Sequence, residues 1–298
     1  LVLAAEVARN YVDYRAGQAR LLLAQGQLAD HDETLRLLRL AVQAGDQARQ
    51  ELGKAEAARS RQAAALAALQ TGLRQSLAAL TVLADLSLED LEARLGPARP
   101  LAEPPSAPGA GLPSELLRQR PDLRAAEREL AAATADLGVA IADRLPRFSL
   151  LGNGGWSSVS SGSLLSTAST FWNAGPQLSL PLFSRGRLKQ QVKASEAARD
   201  AAEAAYRKAV LAAVADAEVA LVRLGRCEES RRRMEEAEAA CRQVLALTEA
   251  QVQAGELSRF PLLEARRALQ AQQDQAVQAR AGSLVALASL HKALGGSW

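Results

Sequence analysis

Residues 147–157 read RFSLLGNGGWS and residues 172–183 read WNAGPQLSLPLF. Both segments alternate. Phe148, Leu150, Gly152, Gly154 and Trp156 point one way; Ser149, Leu151, Asn153, Gly155 and Ser157 point the other. In the second segment Trp172, Ala174, Leu178, Leu180 and Leu182 share a face, with Asn173, Gly175, Gln177 and Ser179 opposite. Each is about 11 residues long, the length a tilted strand needs to cross a bilayer. One face is apolar and the other small or polar, as in a barrel with lipid outside and water inside. A soluble β-hairpin would alternate in the same way, so alternation alone leaves both readings open. The aromatic residues favour the membrane barrel. Five of the seven Phe and Trp residues lie between Phe148 and Phe183. Phe148 and Phe183 stand at one end of the strands, and Trp156, Phe171 and Trp172 at the other, as two interfacial belts would require. The Ser-rich connection SSVSSGSLLSTAST suits an extracellular loop. Two strands cannot close a barrel, and open edges are not tolerated in lipid, so a barrel of eight or more strands implies an oligomer.

Outside 146–184 the chain changes character. Ala and Leu supply 114 of the 298 residues, aromatics 3% and charged residues 23%. That composition is too apolar for disorder and too poor in β-branched and aromatic residues for an all-β domain; it is the composition of long helices packed side by side. Residues 1–43 and 52–84 are Pro-free and helix-periodic, with Gly45 placed to cap the first; 122–143 predicts a further helix. From Arg187 to Ala254 there is no proline and a single glycine, Gly225. Those 68 residues would run about 100 Å as one helix, which no compact domain holds, so a rod or tube is expected. Gly255 ends it, Pro261 falls in the first turn of the next helix, and 262–294 returns. Seven of eleven prolines lie between Pro97 and Pro121, the mark of a linker or collar. The resulting division is 1–86, a first helical hairpin; 87–121, a Pro-rich equatorial linker; 122–145, a helix leading to the barrel; 146–184, the β-hairpin; and 185–298, a second long hairpin.

The two helical hairpins are an internal repeat at an offset of 210 residues. VQAG at 42–45 falls on VQAG at 252–255. Leu35, Leu37, Arg49, Leu52, Gly72, Leu77 and Leu80 fall on Leu245, Leu247, Arg259, Leu262, Gly282, Leu287 and Leu290. Leu1 falls on Leu211, in the middle of a helix, so the chain reads as an N-terminally truncated piece lacking a counterpart strand pair and any leader.

Several chemistries find no support. The net charge of +3 is too small and dispersed to argue for nucleic acid. Cys227 and Cys241 lie 14 residues apart on one helix, about 21 Å, beyond disulfide reach. His31 and His291 are isolated, no Cys/His spacing suits a metal, and no nucleophile elbow, phosphate loop or zinc motif is present. No enzyme activity and no cofactor are expected.

The stretches GLPSELLRQRPDLRAAERELAAATADLGVAIADRLPRFSLLG (111–152), GPQLSLPLFSRGRLKQQV (175–192), QVQAGELSRFPLLEARRAL (251–269) and LHKALGGSW (290–298) carry a resemblance. The chain resembles TolC-like outer membrane factors, in the lipoprotein (NodT-type) branch that serves resistance-nodulation-division pumps. The resemblance implies a mainly α fold with a small transmembrane β part. It implies a homotrimer whose 12-stranded barrel sits in the outer membrane and whose α-helical barrel extends through the periplasm. A periplasmic adaptor meets the hairpin tips, an inner-membrane pump supplies the cargo, and the duct itself is passive. Relatives commonly carry acidic residues six and nine positions after the second tip glycine and six after the first. Here those positions are Pro261, Glu264 and Glu51, so the resemblance assigns Glu264 and Glu51 to the periplasmic aperture. Gly45, Asp46, Gly255, Glu256, Leu257 and Ser258 become the expected adaptor contacts. Phe148, Trp156, Phe171, Trp172 and Phe183 become the membrane-interface aromatics. A periplasmic adaptor is the alternative, but it would place lipoyl-like β modules beside one hairpin, whereas this chain has two. A purely structural coiled coil of the envelope leaves the strand pair unexplained.

Overall fold

A computed structural model describes residues 1–44, 49–104, 120–157 and 167–296. The elements in chain order are α1 (Val2–Gln43), α2 (Arg49–Ala84), α3 (Leu88–Leu95), α4 (Pro121–Ala142), β1 (Arg147–Trp156), a 3-10 turn (Thr167–Ser169), β2 (Thr170–Ser179), α5 (Arg185–Gln253) and α6 (Arg259–Ala293). The long proline-free segment is one unbroken 69-residue helix. Two compact units divide the chain: Leu1–Arg120 with Ala213–Trp298, and Pro121–Ala212.

In the first unit the internal repeat is structural. Gln43 and Arg49 bound the first turn, and their equivalents 210 residues on, Gln253 and Arg259, bound the second. The two cores correspond as well. One joins Tyr14, Leu77, Leu80 and Leu91, with Val7 and Leu73 packed against it. The other joins Ala217, Ala220, Leu224, Ala286, Leu290, Ala293 and Leu294, with Leu287 beside it. Tyr14, Val7, Leu77 and Leu80 are the repeat partners of Leu224, Ala217, Leu287 and Leu290. Ala217, Ala286 and Leu290 are wholly buried. Alanine at the contact lets helix backbones approach closely, which compensates for the small apolar area each side chain removes from water.

The copies differ in how each hairpin is held farther from this core. In the first, Gly17 leaves a notch for Leu73: a Cβ on Gly17 would lie 2.8 Å from the Leu73 Cδ1. Their equivalents in the second are Cys227 and Ser283, and here charge replaces the notch. The buried Ser283 hydroxyl donates to Glu228. Arg231 binds Glu228 at 3.0 Å and Glu235 at 2.9 Å, and Arg280 reaches Glu235 at 2.9 Å. The hydrogen bond from Ser283, helped by Arg231, holds the Glu228 carboxyl below the usual carboxylate range against its burial. Burial pushes Glu235 the other way, but hydrogen bonds from Arg280 and Arg231 outweigh it and the carboxyl is lowered too.

A polar seam joins the hairpins through α1 and α6. Arg20 forks onto Asp274, with Nε to Oδ1 at 2.6 Å and Nη2 to Oδ2 at 3.3 Å. Gln270 donates to Asp30 at 3.0 Å. Gly26 makes room for it, since a Cβ there would sit 3.2 Å from the Gln270 amide nitrogen. His31 Nδ1 lies 3.3 Å from Arg267 Nη1. Burial and the Arg267 charge push the His31 ring below its ordinary value of 6.5, Asp30 and Asp32 oppose this, and Arg61 adds to the lowering.

The linker region departs from the reading of the sequence. Within 87–121 the chain forms α3, where a structureless linker is expected. Ser87 caps it, accepting from the Asp90 amide at 3.1 Å and donating to the Asp90 carboxylate at 2.7 Å. This is local capping chemistry, and the prolines begin only after its end at Leu95. The collar residues 105–119 lie outside the described ones.

Two outcomes test this packing. Leu290→Ala removes a fully buried side chain and should cost about 2–5 kcal/mol, read from chemical or thermal unfolding followed by circular dichroism. A melting curve unchanged from the parent would contradict the core assignment. The folded state binds a proton at His31 less readily than the unfolded chain. Stability therefore falls as pH drops through 6.5 toward the lower folded value. His31→Gln should flatten the acid limb of the melting temperature between about pH 7 and pH 5 relative to the parent.

Candidate functional site

The second unit presents the strand pair. β1 and β2 are antiparallel in a single register, Phe148 opposite Leu178, Leu150 opposite Pro176, Gly152 opposite Ala174, Gly154 opposite Trp172 and Trp156 opposite Thr170. Because facing residues share a side, Phe148, Leu150, Trp156, Trp172 and Leu178 form one continuous apolar surface. It is open: Phe148 and Trp172 are 78% and 80% exposed, and Leu150 80%. The other side carries Ser149, Asn153, Asn173, Gln177 and Ser179. The sheet has two strands among the described residues, so each has one edge of unpaired backbone groups.

β2 runs from Thr170 to Ser179, where the alternation suggests 172–183. Two prolines stop it. The position beyond Ser179 would pair Leu180 with Pro146, which has no N–H, and Pro181 follows. The chain then tightens, with the Leu182 N–H donating to the Leu180 carbonyl at 3.0 Å. Leu180, Leu182 and Phe183 thus lie outside the ladder, Phe183 fully exposed. Phe171 differs from the other aromatics in another way. It sits at the loop end with Trp156 and Trp172, but the register places it opposite Gly155, on the side of Asn153 and Asn173. Its ring lies over Gly155, with Cε1 and Cζ at 3.4 and 3.5 Å from where a Cβ would be.

At the second hairpin tip, the glycine does what its position requires. Gly255 adopts φ +78°. Its N–H donates to Val252, and the Glu256 N–H to Gln251, at 3.1 and 3.0 Å. This is a Schellman stop, which demands the left-handed conformation at that residue. Ser258 occupies the N-cap position of α6 without a side-chain cap bond, and Pro261 falls in the first turn, where its missing N–H costs nothing. Glu256, Leu257 and Ser258 are exposed around the turn. Gly45 and Asp46, their counterparts on the first tip, lie outside the described residues.

Glu51 and Glu264 meet at one place. Both are exposed, and both line a cleft of about 520 Å³ between the starts of α2 and α6 and the end of α1. They share it with Lys54, Arg61, Phe260 and Arg267. Lys54 neutralises Glu51 at 2.7 Å. The cleft is therefore mixed in charge, and Arg267, three residues on from Glu264, shares it.

Two arginines that sequence reasoning passed over tie the helix ends together. Arg15 is buried and donates to the carbonyls of Leu95 and Pro97 at 2.9 and 2.8 Å. Arg120, the residue before Pro121, donates to the carbonyl of Ala293 at 3.0 Å and lies 3.4 Å from Asp216. Leu95 and Ala293 end α3 and α6, so each guanidinium caps carbonyls that a helix leaves unpaired. The sequence signal was present in RPDL, but its partners are 93 and more residues away.

No helix among the described residues is long and apolar enough to cross a membrane.

The comparisons agree with this geometry. The profile of the outer membrane efflux protein family matches residues 112–296. The chain is 33% identical along its whole length to the pyoverdine export outer membrane protein OpmQ of Pseudomonas aeruginosa, and 32% to outer membrane protein OprJ of the same species. It spans 62% of the length of each. Its fold superposes on the solved outer-membrane channel OprN with a TM-score of 0.84 at 31% identity, over all of this chain and 66% of that one. These relatives are transport proteins rather than enzymes. The helical hairpins and the β-hairpin of the described residues match the fold of that solved channel, and the chain belongs to the outer membrane efflux protein family.

Proposed function

We propose that the chain is part of a passive exit duct through the outer membrane and periplasm, the terminal segment of a tripartite efflux system. The observation that carries the proposal is the register of β1 and β2. It gathers Phe148, Leu150, Trp156, Trp172 and Leu178 onto one exposed surface and the amides and hydroxyls onto the other. Such a surface has no place in water. In lipid it fits, provided both edges are paired by further strands. Three protomers supplying four strands each close a barrel of about 12 strands. In that barrel Phe148 and Phe183 mark the periplasmic interface, and Trp156 and Trp172 the outer one.

The helical hairpins extend the duct into the periplasm. Their tips, with Gly45, Asp46, Gly255, Glu256, Leu257 and Ser258, contact a periplasmic adaptor, and the inner-membrane pump acts through that adaptor. Glu264, with Glu51 as its weaker companion, lines the aperture. Three copies about the axis place carboxylates where they favour cations over anions. No reaction is catalysed and no cofactor is needed. Family membership and the strand pair favour this reading over an adaptor or an envelope coiled coil.

The topology is tested by thiol labelling in cells, in a background with Cys227 and Cys241 changed to Ser. Asn173→Cys should react with a membrane-impermeant maleimide and Leu150→Cys should not; equal labelling would end the barrel reading. Transport is tested by deletion and re-expression. The deletion strain should accumulate ethidium or another dye, and re-expression should lower it, whereas unchanged accumulation across a broad panel would argue against a duct. In planar bilayers Glu264→Gln should lower the cation-to-anion permeability ratio without loss of the protein from the membrane. An unchanged ratio would remove Glu264 from the aperture.

A further inference from the structure

The duct reading leaves one aromatic residue without a role, and this inference rests on that reading. Phe171 is on the wrong side for a lipid belt. It shares its face with Asn153, Asn173 and Gln177, the face the proposed barrel turns toward water. A phenyl ring in a water-filled channel has to be accommodated, and Gly155 accommodates it. The cross-strand neighbour, the half-buried Gly155, has no side chain, and the Cε1–Cζ edge of the ring lies 3.4 and 3.5 Å from where its Cβ would be. The ring is nonetheless 45% exposed. The Cε1–Cζ edge of the ring is therefore engaged by the strand while the rest of the ring remains open to the channel. Its position, second in β2 and opposite the penultimate residue of β1, sets it at the loop end, the outer mouth of the duct.

We propose that Phe171 is a specificity-determining residue of the exit: an aromatic contact point, repeated in each protomer, for lipophilic and aromatic cations leaving the channel. The face of a benzene ring carries negative electrostatic potential and attracts organic cations. The surrounding amides and hydroxyls are neutral, so the attraction is not masked by a nearby charge of the same strand pair. A barrel of 12 strands spaced about 4.8 Å apart and tilted about 40° is roughly 24 Å across between backbones. Three rings narrow such a mouth without closing it. Small ions therefore pass with little hindrance, and the ring discriminates among cargos by contact.

The test uses the protein purified from outer membranes and reconstituted in planar bilayers. The probe is tetraphenylphosphonium, added on the loop side as a blocker of potassium chloride current. Phe171→Ala should weaken the block by about fivefold while leaving the potassium chloride conductance close to that of the parent. Phe171→Tyr, which keeps the ring, should leave the block close to that of the parent. Unchanged block in Phe171→Ala would overturn the proposal, as would equal weakening in Phe171→Tyr. Labelling of Asn173→Cys but not Leu150→Cys in the same preparations separates the two levels. With that pattern intact, the blocker result judges Phe171 alone. Without it, the duct reading and this inference fall together.

Discussion

Helices made largely of alanine and leucine bury little area apiece, and the rest of this structure follows from that constraint. Ala217, Ala220 and Ala286 sit in the core beside Leu224 and Leu290, where larger side chains would hold the backbones apart. Close approach is the gain and thin hydrophobic cover is the cost. The molecule meets the cost with ties at the helix ends. Arg15 binds the carbonyls that close α3, and Arg120 the carbonyl that closes α6. Each guanidinium meets acceptors that a helix terminus leaves open, so the ends that packing alone holds least are held by charge-assisted hydrogen bonds.

The duplication shows how far one helical hairpin can drift while keeping its form. Turn boundaries and core positions survive at the 210-residue offset, yet the contact between the two arms has changed its physics. Gly17 and Leu73 interlock by shape, whereas Ser283, Glu228, Arg231, Glu235 and Arg280 interlock by charge. A shape contact is indifferent to salt and pH. A half-buried ion network depends on keeping every partner. The seam between the hairpins is of this second, polar kind, with Arg20 on Asp274 and His31 beside Arg267. The two copies are therefore unlike arms built on one template.

The strand pair is patterned differently from the helices. Its apolar side carries aromatic rings at both ends and leucine between, while its other side is mostly glycine, serine and amides, with Arg147, Leu151 and Phe171 among them. Backbone groups at its edges need partners once water is gone. That single requirement links a ten-residue element to the symmetry of the proposed assembly.

The sequence by itself determined the elements. Absence of proline over 185–253, glycine at 255 and the repeat of VQAG were enough to place the long helices and both turns within a few residues, because helix signals are local and cumulative. Period-two alternation found both strands. What it missed is non-local. Alternation continued to Phe183, but the strand stops at Ser179, since pairing depends on Pro146 across the ladder as well as on its own residues. Phe171 reads as one more belt aromatic until the register sets it opposite Gly155, because sidedness belongs to the pair. The role of Arg120 was invisible for the same reason: the carbonyl it caps lies 173 residues away. The charges around Glu264 were likewise decided only when α1, α2 and α6 came together. Local periodicity sets which segments are helix or strand; which side chains meet, and what each faces, is set by contacts between residues distant in the chain.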